Sequence, residues 1–282
     1  KVTTMYVESV PEGPDAARVM RDMAQSGADI IFTTSFGYMD QTLKVAKEFP
    51  DVKFEHATGY KTAENVSVYS SRFYEGRYIQ GVIAGHMSKA GKAGYIASFP
   101  IPEVIRGINA FYLGATSVNP DFDLDIVWVN TWYDPVKESQ AAEVLISNGV
   151  DIITQHTDSP APLQTAGTKG VLAFGQASDM IAFAPDTQLT AIMDVWGPYY
   201  VSRIKALMNG MWESSDTWGG MNTGMVGMAP YTNMPEEVEA IASEIEYAIL
   251  HGDLNIFEGI SDDSGLLGMM SYLDGIDATV PN

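Results

Sequence analysis

Four short clusters hold the side chains best suited to bind a small molecule: Thr34-Ser35-Phe36-Gly37-Tyr38, His156-Thr157-Asp158-Ser159, Gln176-Ala177-Ser178-Asp179-Met180 and Asp194-Val195-Trp196. Each joins a neutral hydrogen-bonding group or a carboxylate to a flat or soft apolar side chain. That mixture suits a planar, neutral, nitrogen-rich ligand: rings stack on its faces while Asp, Ser and Gln pair with its edge. No Arg or Lys stands in any of the four, which argues against phosphorylated ligands and organic acids. The candidate ligand-binding set is Ser35, Phe36, Tyr38, His156, Asp158, Gln176, Ser178, Asp179, Asp194 and Trp196. Taken singly, the polar members also suit helix caps, and Phe36 and Trp196 suit a core. Four clusters of one character favour binding.

Catalytic and metal chemistry find less support. No Gly-x-Ser-x-Gly elbow exists, and Ser178-Asp179 with His156 would make a triad without one. Gly85-His86-Met87-Ser88-Lys89-Ala90-Gly91-Lys92 resembles a phosphate loop, but five residues separate its glycines and Ala93 stands where Ser or Thr must reach magnesium. His56, His86, His156 and His251 include no pair at zinc-motif spacing, and the chain has no cysteine. His86 and His251 fall at expected helix ends, where a cation suits the dipole, whereas His56 and His156 end expected strands. No catalytic residue, metal or cofactor is expected.

The elements that must position the clusters alternate. Residues 15–25 have apolar positions Val19, Met20 and Met23 at helical spacing, stopped by Gly27. Residues 28–33 form a continuous apolar run, as in a parallel sheet covered on both faces. Helix 41–49, strand 52–56, helix 74–88 and strand 94–98 follow. The prolines of Phe99-Pro100-Ile101-Pro102 predict an extended crossover between lobes. Beyond it the pattern predicts helix 103–117, strand 124–130, helix 137–148, strand 151–154, a helix near 163–168 and strands 171–174 and 189–193. Helix 196–210, a Gly-rich crossing at 218–227 and the acidic helix 235–250 complete it. The loops around 60–65 and 212–220 and the tail 261–282 find no assignment.

A repeat runs through this pattern. Met5-Tyr6-Val7 answers Val127-Trp128-Val129, and at the same offset Gly27-Ala28-Asp29-Ile30-Ile31 answers Gly149-Val150-Asp151-Ile152-Ile153. Such β-α-β units predict an α/β protein of two Rossmann-like lobes with parallel sheets. The clusters then fall at carboxyl ends of strands, where ligands of open α/β sheets bind, so a cleft between lobes is expected.

The chain of 282 residues carries 16 basic against 36 acidic residues, a net charge of −20 that repels nucleic acid and anionic membranes. The simplest source of that acidity is a solvated surface. No apolar run approaches the roughly 20 residues that span a bilayer. Lys1-Val2-Thr3-Thr4-Met5 already reads as a strand, so an export or anchoring segment is expected to have preceded it.

Gly27-Ala28-Asp29-Ile30-Ile31-Phe32, Tyr74-Glu75-Gly76-Arg77-Tyr78, Gly81-Val82-Ile83-Ala84-Gly85, Gly94-Tyr95-Ile96-Ala97, Pro100 and Arg106-Gly107 resemble the basic membrane protein (BMP) family. These are substrate-binding proteins of ABC importers with the type I periplasmic-binding-protein fold, and the likeness runs to about residue 260. It implies two lobes, residues 1–98 with 195–222 and residues 99–194 with 223–260, a three-stranded hinge, and closure over a purine nucleoside or base. It further implies a stacking role for Phe36, places Asp158, Ser178, Asp179 and Asp194 on the second lobe, and sets Trp196 near a crossing. A periplasmic or lipid-anchored receptor follows, monomeric, handing its ligand to a membrane permease. Nucleoside binders of the family carry Thr-Ser and then lysine where Asp194-Val195-Trp196-Gly197-Pro198 stands here, so a free base such as adenine is expected before a nucleoside. The family's first β-α unit is missing, which predicts an exposed sheet edge. A sugar receptor, a nucleoside-processing enzyme and the sensing domain of a regulator are the alternatives.

Overall fold

The computed structural model describes residues 1–281; Asn282, the last residue of the unassigned tail, lies outside them. In chain order the elements are α1 (Pro14–Gln25), β1 (Ile30–Thr33), α2 (Met39–Glu48), β2 (Lys53–Ala57), β3 (Val66–Ser71), α3 (Tyr74–Met87), β4 (Lys92–Ala97) and α4 (Pro102–Val118). Next come β5 (Asp123–Trp128), α5 (Pro135–Ser147), β6 (Ile152–His156), α6 (Ala161–Lys169), β7 (Leu172–Gly175) and β8 (Gln188–Asp194). The last are α7 (Gly197–Met208), β9 (Asp216–Gly219), β10 (Val226–Met228), α8 (Glu236–His251) and α9 (Asp263–Leu267).

The chain divides into two compact units. The first comprises Lys1–Ser71 and Trp196–Gly219. Its parallel sheet has the order β1-β2-β3-β9. Pro14 opens α1 with its fixed φ, and Ala16, Ala17, Met20 and Ala24 bury one face of the helix. That face meets Ile31, Val45, Phe54 and Val66.

The second unit comprises Arg72–Val195 and the chain from Gly220 onward. Its sheet has the order β10-β8-β7-β6-β4-β5, parallel except for the short β10, which pairs antiparallel with β8. Asp134 caps α5 by accepting from Val136 N and Lys137 N. In α3 and α4, Gly81 and Gly114 face the partner helix's backbone: a Cβ on Gly81 would lie 2.0 Å from Phe111 O, and one on Gly114 2.2 Å from Tyr78 O. Only glycine permits that approach.

The repeat survives in the backbone of both units. Gly27 and Gly149 have φ of 91° and 92°. Ala28 N donates to Met23 O and Val150 N to Leu145 O, the same stop at the same offset.

Three expectations are corrected. Residues 1–7 form no strand, although residues 123–128 at the same offset form β5; Val2, Met5, Tyr6 and Val7 are exposed. A strand exists only through its ladder, and nothing among the described residues pairs with this segment. Residues 72–98 pack in the second unit, because β4 inserts between β6 and β5. The chain therefore changes unit at 71/72, 195/196 and 219/220, and Phe99-Pro100-Ile101-Pro102 is an internal connection rather than a crossing. Finally, β3, β9 and β10 fall where no strand is expected from the sequence. Strands β9 and β10 are short and β3 mixes serines with Val66, Val68 and Tyr69, so their partners define them.

Candidate functional site

In the second unit the carboxyl ends of β6, β7 and β8 lie side by side, and with them come His156 to Asp158, Gln176 to Asp179, and Asp194. Buried groups beneath shape this edge. Arg77 is fully buried and donates to Gln80 Oε1 at 3.0 Å, Thr154 Oγ1 at 3.0 Å, Gln155 O at 2.6 Å and Gln176 Oε1. Gln176 is thereby held in place. The rings of Phe73 and Tyr95 stand 5.0 and 5.3 Å from the guanidinium carbon. Burial lowers the pKa of Arg77, opposed by the charges of Tyr95, Asp194 and Glu103.

The loop after β6 is equally fixed. Gln155 Nε2 donates to Thr157 O and Ser159 O, while Glu138 accepts from Ser159 Oγ at 2.7 Å and Ser159 N at 3.2 Å. Asp158 N donates to Trp132 O at 2.8 Å. These bonds leave the Asp158 side chain open to solvent. Protein still crowds it, and desolvation with the nearby charges of Glu138 and Glu103 raises its pKa to about 6.

Aromatic rings gather on the same edge. Trp132 lies 5.1 Å from Phe99 and 6.4 Å from His156, and Phe73 lies 5.5 Å from His156, centre to centre. Trp132, Phe99 and Glu103 are absent from the sequence-derived set. A signal existed: Trp132 follows β5 as closely as the chosen clusters follow their strands, past a sharp turn where Asn130 has φ 52°.

One chosen carboxylate is committed to local structure. Asp179 Oδ1 accepts from Ile181 N at 3.0 Å and Gln188 Nε2 at 2.8 Å, just ahead of a single 3₁₀ turn at Ile181–Phe183. Ser178 is exposed, with Oγ 3.5 Å from Gln176 O. Asp194 ends β8, its N–H donating to Ala177 O.

In the first unit, Ser35, Phe36 and Tyr38 follow β1. Ser35 Oγ donates to Glu12 Oε1 at 2.5 Å, Gly37 N donates to the same oxygen at 2.9 Å, and Tyr38 OH donates to Val10 O. Both polar side chains thus anchor the segment before α1. Phe36 is half-buried, 5.9 Å from Tyr60. Trp196 belongs to this unit, where it meets Tyr69 edge-on at 5.1 Å. Tyr69 also touches Tyr199 and Tyr200, whose helix α7 is fixed by Glu55: that carboxylate accepts from Arg203 Nε, Trp212 Nε1 and Tyr199 OH. His56, which the sequence places at a strand end, is wholly buried, bonded through Nδ1 to Thr33 Oγ1 at 2.8 Å.

An open groove of about 580 Å³ lies between α5 and α6 of the second unit, walled by residues such as Ser139, Gln164 and Thr168. It contains none of the strand-end residues and no aromatic wall. No cluster of three or more His, Asp or Glu able to hold a metal occurs among the described residues.

Comparison with known proteins bears on this arrangement. The family described as ABC transporter substrate-binding protein, PnrA-like (Bmp), matches residues 1–256. A purine-binding protein of Brucella abortus is 58% identical, the match covering 100% of this chain and 85% of that protein. A putative ABC transporter glucose-binding protein of Haloferax volcanii is 40% identical, covering 99% and 73%. Among solved structures, an ABC transporter solute-binding protein from Conexibacter woesei aligns with TM-score 0.68 at 22% identity, covering 86% of this chain and 83% of that one. The structural likeness shows the fold, that of type I periplasmic binding proteins with two α/β lobes.

Proposed function

The chain belongs to the PnrA-like (BMP) family of ABC transporter substrate-binding proteins, and from that premise we propose that it captures a purine, the free base before the nucleoside. Members of such a family are extracytoplasmic receptors that hand a small molecule to a membrane permease; they are not enzymes as a class. No helix among the described residues is long and apolar enough to cross a membrane. Our reading is of a monomeric receptor, periplasmic or lipid-anchored, that performs no chemistry of its own.

The observation that carries this reading is the 58% identity over the whole chain to a purine-binding protein. The chemistry of the strand ends supports it: rings for the faces of a flat base, and uncharged or acidic groups for its edge. In the second unit we assign stacking to Trp132 and edge contacts to His156, Asp158, Ser178 and Asp194; in the first unit, taken by itself, Phe36 and Trp196 are the rings assigned to stacking. Gln176 and Asp179 frame the site through Arg77 and Gln188, and Ser35 and Tyr38 act through the loop they anchor. The Asp194-Val195-Trp196 sequence, without a lysine, favours a base over a nucleoside.

A sugar is the second reading, favoured by the 40% identical relative described as glucose-binding. A thermal-shift series separates the two, using protein unfolded and refolded to strip carried-over ligand. A ligand bound at a hundredfold excess over its Kd adds about 2.7 kcal/mol of stability. Adenine, guanine or hypoxanthine should raise the midpoint more than their nucleosides do. A response to glucose alone would overturn the purine assignment.

A further inference from the structure

Two buried polar atoms at neighbouring strand ends of the second unit find no hydrogen-bond partner among the described residues: Ser98 Oγ just beyond β4, and His156 Nδ1 at the end of β6. Leaving such atoms unpaired is costly, and the imidazole is the more informative because its other nitrogen faces a carboxylate, beyond hydrogen-bond distance. His156 Nε2 stands 3.7 Å from Oε1 of Glu103, in the first turn of α4. Phe73 and Trp132 bound the ring, whose side chain is only 6% exposed.

A neutral imidazole carries one N–H, and the neighbour of each nitrogen decides where it sits. Burial, helped by the charges of Arg77 and Arg106, outweighs the Glu103 contact and lowers the His156 pKa. Burial works to raise Glu103, but the His156 contact and the charges of Arg106 and Arg77 hold it below the usual range. A bare Nε2 would turn its lone pair on a carboxylate, so the hydrogen belongs on Nε2. Nδ1 is then an acceptor with nothing to accept from.

We infer that His156 Nδ1 accepts an N–H from the edge of the ligand, and that Glu103 is the positioning residue that fixes this tautomer. The inference deepens the purine reading and rests on it. It adds a direction to the recognition: the ligand must present a donor here. A free purine base keeps a ring N–H that a nucleoside has lost, and adenine adds an amino group.

Two measurements on the full chain test it. Nitrogen NMR of the histidine-labelled, ligand-free protein, with the His156 signals identified by their loss in H156N, should show Nε2 protonated and Nδ1 bare. E103Q should shift that population toward the other tautomer. Calorimetric titration of adenine then compares H156N, whose amide falls at the Nδ1 position, with H156Q, whose amide falls at Nε2. H156Q should bind on the order of tenfold more weakly than H156N, with both variants shown folded by their melting midpoints. A parent protein that binds adenine while Nδ1 carries the proton, or folded variants of equal affinity, would overturn the inference alone. A parent that binds no purine base overturns it together with the purine reading.

Discussion

His56 and His156 both stand at the ends of strands, and their neighbours give them different work. Thr33 Oγ1 engages His56 Nδ1, and burial lowers its pKa to about 4 from 6.5. The unfolded chain therefore binds a proton between pH 6.5 and 4 that the folded protein refuses. Stability from this group is complete above 6.5 and lost as pH falls toward 4, by about 3 kcal/mol. Urea unfolding from pH 7 to 4 should show that slope in the parent and lose it in H56N; parallel curves would refute it. Asp158 works in the opposite sense. Its pKa is raised to about 6 from 3.8, so its ionisation opposes folding increasingly from pH 4 to 6 and fully above 6. The melting midpoint of D158N should gain on the parent across that interval and match it below pH 4. Residue types announced both positions, whereas burial, partner and titration came from the neighbours.

Helix α3 fits α4 through two glycines, and this is a property of paired elements. G81A or G114A drives a methyl group into the opposing backbone, as the 2.0 and 2.2 Å approaches require. Each should cost about 1–3 kcal/mol or more, because neither backbone can yield as a flexible side chain does. Unchanged unfolding of either variant would mean that the helices separate freely. The tail is a second case. Asp263 in α9 makes a two-pronged pair with Arg72, and Arg106 donates to Leu266 O. Asn109 holds Ser271 O and Leu273 N. With Asp263 largely exposed, D263N should cost under about 1 kcal/mol, while N109A should release the 271–273 segment, read as faster amide exchange there. Helices α1 and α8 are legible in the sequence because each buries one face, whereas α3 and α4 are buried on nearly every side. The tail has no period, since its order comes from bonds to Arg72 and α4.

Net charge and ligand binding belong to the whole molecule. At −20 the folded chain repels itself more than its expanded form does. Raising salt from about 0.1 to 1 M shortens the screening length from roughly 10 to 3 Å. The melting midpoint should rise accordingly, and a flat or falling curve would mean that acidic groups are already compensated. Ligand contacts are the second global property. W132A should weaken adenine binding by about 1–3 kcal/mol if its ring stacks on the base, with calorimetry as the check.

By itself the sequence determined most of the alternation of strands and helices, the repeated unit of helix, glycine stop and following strand, the absence of cysteine chemistry and the residues at the strand ends. Those features are local: a period, a glycine stop and a run of apolar residues act within a few positions. Only the tertiary structure decided that residues 72–98 join the second unit, that residues 1–7 pair with nothing described, and that β3, β9 and β10 are strands. It also decided that Gln176 answers to Arg77, that Trp132 stands beside His156, and which nitrogen of that histidine is free. The reason is physical. A strand is defined by its ladder and a polar group by its partner, and both lie far away along the chain.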